Sequence, residues 1–218
     1  MMSVGMILLT ATAILVFFGV AQRVLDKMYL NDRAALMLIA LMFFGTLIPN
    51  IRIGGVSISI GGAVIPVGIC LYLLIRAGTN RERLRAILGS FLTGGLIYVL
   101  SHVMPDEPER IVIDPLYLYG IVGGLAAYLL GRSRRGAFIC GVLGVLWADI
   151  TVAVVNRLNG IEQQVTIGGA GIFDAMIISG LLGVVLAEFI GEIIERIVRG
   201  SRRPDESAIQ NPVRQKER

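Results

Sequence analysis

The run Gly136-Ala137-Phe138-Ile139-Cys140-Gly141-Val142-Leu143-Gly144-Val145-Leu146-Trp147-Ala148-Asp149-Ile150-Thr151-Val152-Ala153-Val154-Val155-Asn156 carries one charge, Asp149. Arginines close it at both ends, with Arg132, Arg134 and Arg135 before it and Arg157 after it. An apolar stretch of about 20 residues matches the hydrocarbon thickness of a bilayer and is longer than a buried helix needs. The rest of the chain repeats this pattern. Apolar runs fall at approximately 3–22, 34–49, 62–76, 86–103, 115–131, 136–156 and 170–191. The whole chain of 218 residues is 55% hydrophobic and only 17% charged, with a mean hydropathy of +0.76. A soluble domain carries about a quarter charged residues. The fold class expected is therefore all-α membrane, with about seven transmembrane helices.

The charges give these spans an orientation. With the N-terminus outside, the loops at 23–33, 77–85 and 132–135, the helix edge at Arg76 and the tail all face the cytoplasm. That side receives seventeen basic residues, and the other side only Arg52, Arg110 and Arg157. The bias alternates loop by loop, as the positive-inside rule requires. Merging the two short runs at 34–49 and 62–76 into one re-entrant feature would break the alternation. The first run begins at Met1-Met2-Ser3 with no basic stretch before it, and reads as a retained span and not a cleaved leader. The net charge of +4 follows from topology, which argues against nucleic acid as a partner. A bacterial or archaeal cytoplasmic membrane is the expected location.

The domain expected is one transmembrane unit over 1–199, followed by a basic cytoplasmic tail over 200–218. The tail, with Arg202-Arg203-Pro204 and Gln210-Asn211-Pro212, reads as disordered and suited to anionic headgroups. Ser57-Ile58-Ser59-Ile60-Gly61-Gly62-Ala63 is echoed by Gln164-Val165-Thr166-Ile167-Gly168-Gly169-Ala170, which suggests parallel three-span repeats over 1–80 and 110–199. The alternation of Ile51 to Ile60 around Gly54-Gly55 predicts a β-hairpin. Arg110-Ile111-Val112-Ile113 and Gln164-Val165-Thr166-Ile167 are also short and β-branched. A small β cap on the outer face follows, its strands pairing within one chain or between two copies of a homo-oligomer.

Ionisable groups inside a span are costly and point to function. Asp149 lies about two turns before the outer end of the sixth run, and Asp174 about one turn into the seventh. The two helices are antiparallel, so both carboxylates fall in the outer third. His102, the single histidine, ends the fourth run on that side, and Asp114 opens the fifth. The four residues His102, Asp114, Asp149 and Asp174 form a candidate proton or cation site. Each aspartate could equally cap or bond a neighbouring backbone, with Asp174 gaining from a helix N-terminus. Glu188, Glu192 and Glu195 stripe the inner end of the last run, where Arg76, Arg132 or Arg196 can pair with them. Gly120 with Gly124, and Gly180 with Gly183, predict close helix packing. Cys70 and Cys140 read as small hydrophobes, and no metal or cofactor motif stands out.

Several stretches resemble an uncharacterised family of bacterial and archaeal multi-pass membrane proteins, domain-of-unknown-function family 1614. They are Phe18-Gly19-Val20-Ala21-Gln22-Arg23-Val24-Leu25-Asp26, Ser59-Ile60-Gly61-Gly62-Ala63-Val64-Ile65-Pro66, Ile113-Asp114-Pro115, Gly131-Arg132-Ser133-Arg134-Arg135 and Gly168-Gly169-Ala170-Gly171-Ile172-Phe173-Asp174. The resemblance implies membership and no activity. The chain is also similar to intramembrane aspartyl proteases of the presenilin and signal-peptide-peptidase type. That similarity implies Asp149 and Asp174 as a catalytic pair, the second after Gly169-Ala170-Gly171. Ile172 and Phe173 intervene where that pattern has none, and its Pro-Ala-Leu motif is absent. Three functions remain open from sequence: a membrane scaffold or interaction protein, a small-solute or proton-coupled carrier, and an aspartyl-type enzyme.

Overall fold

A computed structural model describes residues 32–53, 55–103, 115–170 and 174–200. The first apolar run, the strand expected at 110–113, Asp114 and the tail after 200 lie outside the described residues. The elements are α1 (Asp32–Thr46), β1 (Ile51–Ile53), β2 (Val56–Ile58), a π-helical turn (Ile60–Val64) running straight into α2 (Ile65–Ile75), α3 (Asn80–Val103), α4 (Pro115–Gly131), α5 (Arg134–Leu158), β3 (Val165–Ile167) and α6 (Ala175–Gly200). The protein is mostly helical, as expected. Among the described residues, three helices are long and apolar enough to cross a membrane: Asn80–Val103, Arg134–Leu158 and Ala175–Ile194.

Helix ends are set by short polar side chains in the sequence. Thr79 accepts from the Glu82 amide at 3.2 Å and starts α3. Ser133 accepts from the Gly136 amide at 2.9 Å and starts α5. Its hydroxyl also donates to Glu82 at 3.1 Å, tying the starts of α3 and α5 together. The Arg83 guanidinium donates to the Ile75 and Ala77 carbonyls, closing the end of α2. Losing a capping hydroxyl costs about 1 kcal/mol. Ser133→Ala, which also breaks the bond to Glu82, should therefore lower the thermal midpoint more than Thr79→Ala does. Equal shifts in the two melting curves would show that the link between helices contributes nothing.

Helix α5 is the centre of the bundle and packs against α2, α3, α4 and α6. Its approach to α6 is close enough that a Cβ at Gly141 would meet the Gly180 amide at 2.7 Å. On α4, Gly120 faces Ile178 and Gly124 faces Leu182, so the glycine pairs expected to permit tight packing do so. Helix α3 has its polarity reversed relative to a helix in water. Ala86, Ser90, Thr93, Gly94 and Ile97 are buried, while Leu84, Leu88, Leu92, Leu96 and Val99 form an exposed stripe. Small residues inward and leucines outward is the arrangement that a lipid solvent favours. Cys70 and Cys140 are both fully buried in the core.

The strands form a three-stranded sheet in the order β1-β2-β3. The hairpin is as expected, with Ile51 opposite Ile58 and Ile53 opposite Val56. β3 joins in parallel, setting Ser57 beside Thr166 and Ile58 beside Ile167. Pairing is thus within one chain, and it lays the two echoed stretches side by side. The register is two residues off the alignment of the echo, which would set Ser57 against Gln164. Below the strands the Ser59 amide donates to the Ile167 carbonyl at 3.0 Å, and Gly168 lies against Gly62 and Ala63.

At the end of the bundle away from the sheet, the acidic stripe is paired differently from expectation. Glu192 takes Arg196 at 2.6 Å, as the spacing predicts. Glu188 takes Arg134 from the start of α5, where Arg76, Arg132 or Arg196 was expected. Helix α5 begins facing α6 at that level, so its first turn reaches the glutamate. The Glu195 side chain lies outside the described residues.

Candidate functional site

Four helices and the sheet converge on a cavity of about 340 Å³. Helix α5 contributes Val145, Ala148, Asp149 and Val152, which recur on one helical face. Ile97 and Ser101 come from α3, Leu116 and Tyr119 from α4, Thr166 from β3 and Asp174 from the start of α6. The volume falls at the lower end of the range for small-ligand sites.

Asp149 and Asp174 both line this cavity, as the antiparallel run of their helices predicts. Their surroundings differ. Asp174 is 7% exposed and serves as the N-cap of α6. One carboxylate oxygen accepts from the Met176 amide at 3.0 Å and the other from the Ala170 amide at 3.3 Å. Both donors are backbone groups, and the Met176 amide lies in the first turn of α6, where a negative charge is favoured. Asp149 is half-buried and sits nine residues before the end of α5, about 14 Å along the axis. Among the described residues no hydrogen bond engages its carboxylate. One acid is therefore fixed by the backbone and its neighbour is available.

His102 is not among the residues lining the cavity. It is exposed, its Nδ1 lies 2.9 Å from the Tyr98 carbonyl, and its ring packs on Tyr98 at 4.4 Å between centroids. Ser101 Oγ donates to the same carbonyl at 2.7 Å and also lines the cavity. Asp114 lies outside the described residues, one position before Pro115, which does line the cavity. Of the three candidate residues that are described, the structure brings together Asp149 and Asp174.

Tyr119 and Thr166 complete the polar lining and were not singled out from sequence. Tyr119 lies within an apolar run, where a tyrosine reads as packing. Thr166 was read as a β-branched strand residue and as part of the echoed stretch, not as part of a site. The signal that could have found Thr166 is its place in the echoed stretch, just before the glycine pair that leads toward Asp174.

Comparison with known proteins gives one family. The model of the family described as protein of unknown function (DUF1614) matches residues 16–186. No curated protein and no solved structure matches the chain.

Proposed function

The chain belongs to the family described as protein of unknown function (DUF1614), and from that premise, which carries no activity, we infer its role from the acid cavity. It is a multi-pass membrane protein that takes up a proton or a small monovalent cation at Asp149, as part of a small-solute or proton-coupled carrier. The observation that carries this reading is the unequal pair: Asp174 held by two backbone amides, Asp149 unengaged, both on one cavity. A fixed negative charge beside an acid free to exchange is the arrangement a cation relay needs. The bias of seventeen basic residues against three supports seven spans with the N-terminus outside, in a bacterial or archaeal cytoplasmic membrane. The parallel pairing of the two echoed stretches supports a pair of three-span repeats, with the cavity beside their junction.

An aspartyl-protease reading has less support. A catalytic pair shares one proton between two carboxylates, whereas both oxygens of Asp174 already accept backbone N–H groups. The test is proton or cation flux into proteoliposomes that hold the full chain, read with an entrapped pH-sensitive dye. Flux that requires Asp149 is the expected result. No flux under any applied gradient would remove the carrier reading and leave a membrane scaffold.

A further inference from the structure

The opposite end of the bundle holds a second cavity, of about 670 Å³, at the hairpin between α4 and α5. Arg132, Arg134 and Arg135 line it, with Leu129 from α4 and Ala187 and Ile194 from α6. The hairpin is tight because Gly131 packs directly on the backbone of Ala137, which leaves only Arg132 and Ser133 to turn the chain. Arg132 makes the turn at φ 53, a conformation that favours glycine. A glycine would close the same turn without strain, yet the position carries a long cation.

The three arginines are not equivalent. Arg134 is paired with Glu188, and Arg135 lies 3.9 Å from Glu82 and donates to the Arg76 carbonyl at 3.4 Å. Among the described residues the Arg132 guanidinium has no ion-pair partner. The wall opposite is bare, since a Cβ at Gly191 would meet nothing within 4 Å. Leu129 is 67% exposed and Ile194 55% exposed, so the cationic mouth opens between apolar walls.

We propose that this cleft holds the phosphodiester headgroup of an anionic membrane lipid, with Arg132 as the contact that selects it. A guanidinium fork matches phosphate oxygens in pairs, and the exposed leucine and isoleucine suit the start of an acyl chain. Basic pockets between transmembrane helices are where such headgroups are bound. The site rests on the reading that the chain spans a membrane, but not on the acid cavity, which lies at the other end of α5.

The test is native mass spectrometry of the full chain in mild detergent, titrated with phosphatidylglycerol or phosphatidylcholine. Wild-type protein should retain phosphatidylglycerol in preference to phosphatidylcholine. Arg132→Gly, which relieves the turn and so keeps the fold, should reduce that retention about tenfold. Its melting temperature should not fall, and flux through the acid cavity should persist. Arg202→Gly with Arg203→Gly, in the tail, should leave retention unchanged. Equal retention by Arg132→Gly and wild type, or equal retention of the two lipids, would overturn the proposal. So would displacement of the lipid by millimolar inorganic phosphate, which would make the cleft a site for the free anion.

Discussion

Gly168→Ala is expected to cost about 3 kcal/mol or more and to detach β3 from the hairpin, two effects adding at one position. Gly168 sits at φ +68, where a side chain costs about 1–2 kcal/mol. An added Cβ would also fall 2.5 Å from the Gly62 carbonyl carbon and 2.6 Å from the Ala63 amide nitrogen. Those are backbone atoms that cannot rotate away, and overpacking of this kind costs about 1–3 kcal/mol. Gly160 isolates the first effect, because it has the same φ of +68 with nothing within 4 Å of an added Cβ. Thermal unfolding of the two alanine variants in one detergent should give a small shift for Gly160→Ala and a much larger one for Gly168→Ala. Equal shifts would mean that the two glycine pairs do not bear on each other.

That contact explains why some of the structure was legible in sequence and some was not. The helices at 136–156 and 86–103 announce themselves by long apolar runs, a local property. The hairpin over 51–58 is equally local, since alternation and a central glycine pair specify both its strands. The parallel partner β3 was readable as a strand but not as a neighbour of β2. Its pairing depends on how α5 returns the chain across the bundle, and the two-residue offset from the echo shows tertiary packing choosing the register. Asp149 and Asp174 were found because charge in an apolar run is conspicuous. Capping by Asp174 was one of the readings the sequence offered, and it holds. That Asp149 makes no such bond among the described residues, and with it their division of labour, was not legible, and the apolar run placed the start of α6 five residues early. The partner of Glu188 was missed for a similar reason. The arginines on other elements at that end were weighed as Arg76 and Arg132, but which of them reaches Glu188 depends on how the first turn of α5 meets α6, and that turn presents Arg134.

That division of labour gives the second large effect, a separation of transport from stability between two substitutions of the same kind. Asp149→Asn should abolish flux while leaving the melting temperature unchanged or slightly raised. The amide is isosteric, no hydrogen bond among the described residues is lost, and a neutral group is less costly to hold half-buried than a carboxylate. Asp174→Asn should behave in the opposite sense. Asparagine still caps a helix, and its carbonyl oxygen can keep the bond from the Met176 amide. The bond from the Ala170 amide and the charge at the N-terminus of α6 are lost, for about 1 kcal/mol together. Flux should then be reduced but measurable, because the exchanging acid is intact. Asp174→Ala removes the cap altogether and should cost about 2 kcal/mol. If Asp149→Asn transports like wild type while Asp174→Asn is inactive at full stability, the roles are reversed and Asp174 is the exchanging group. If both variants lose flux without loss of stability, the two carboxylates act as one proton-sharing unit, and the cap is a consequence of the site and not its anchor.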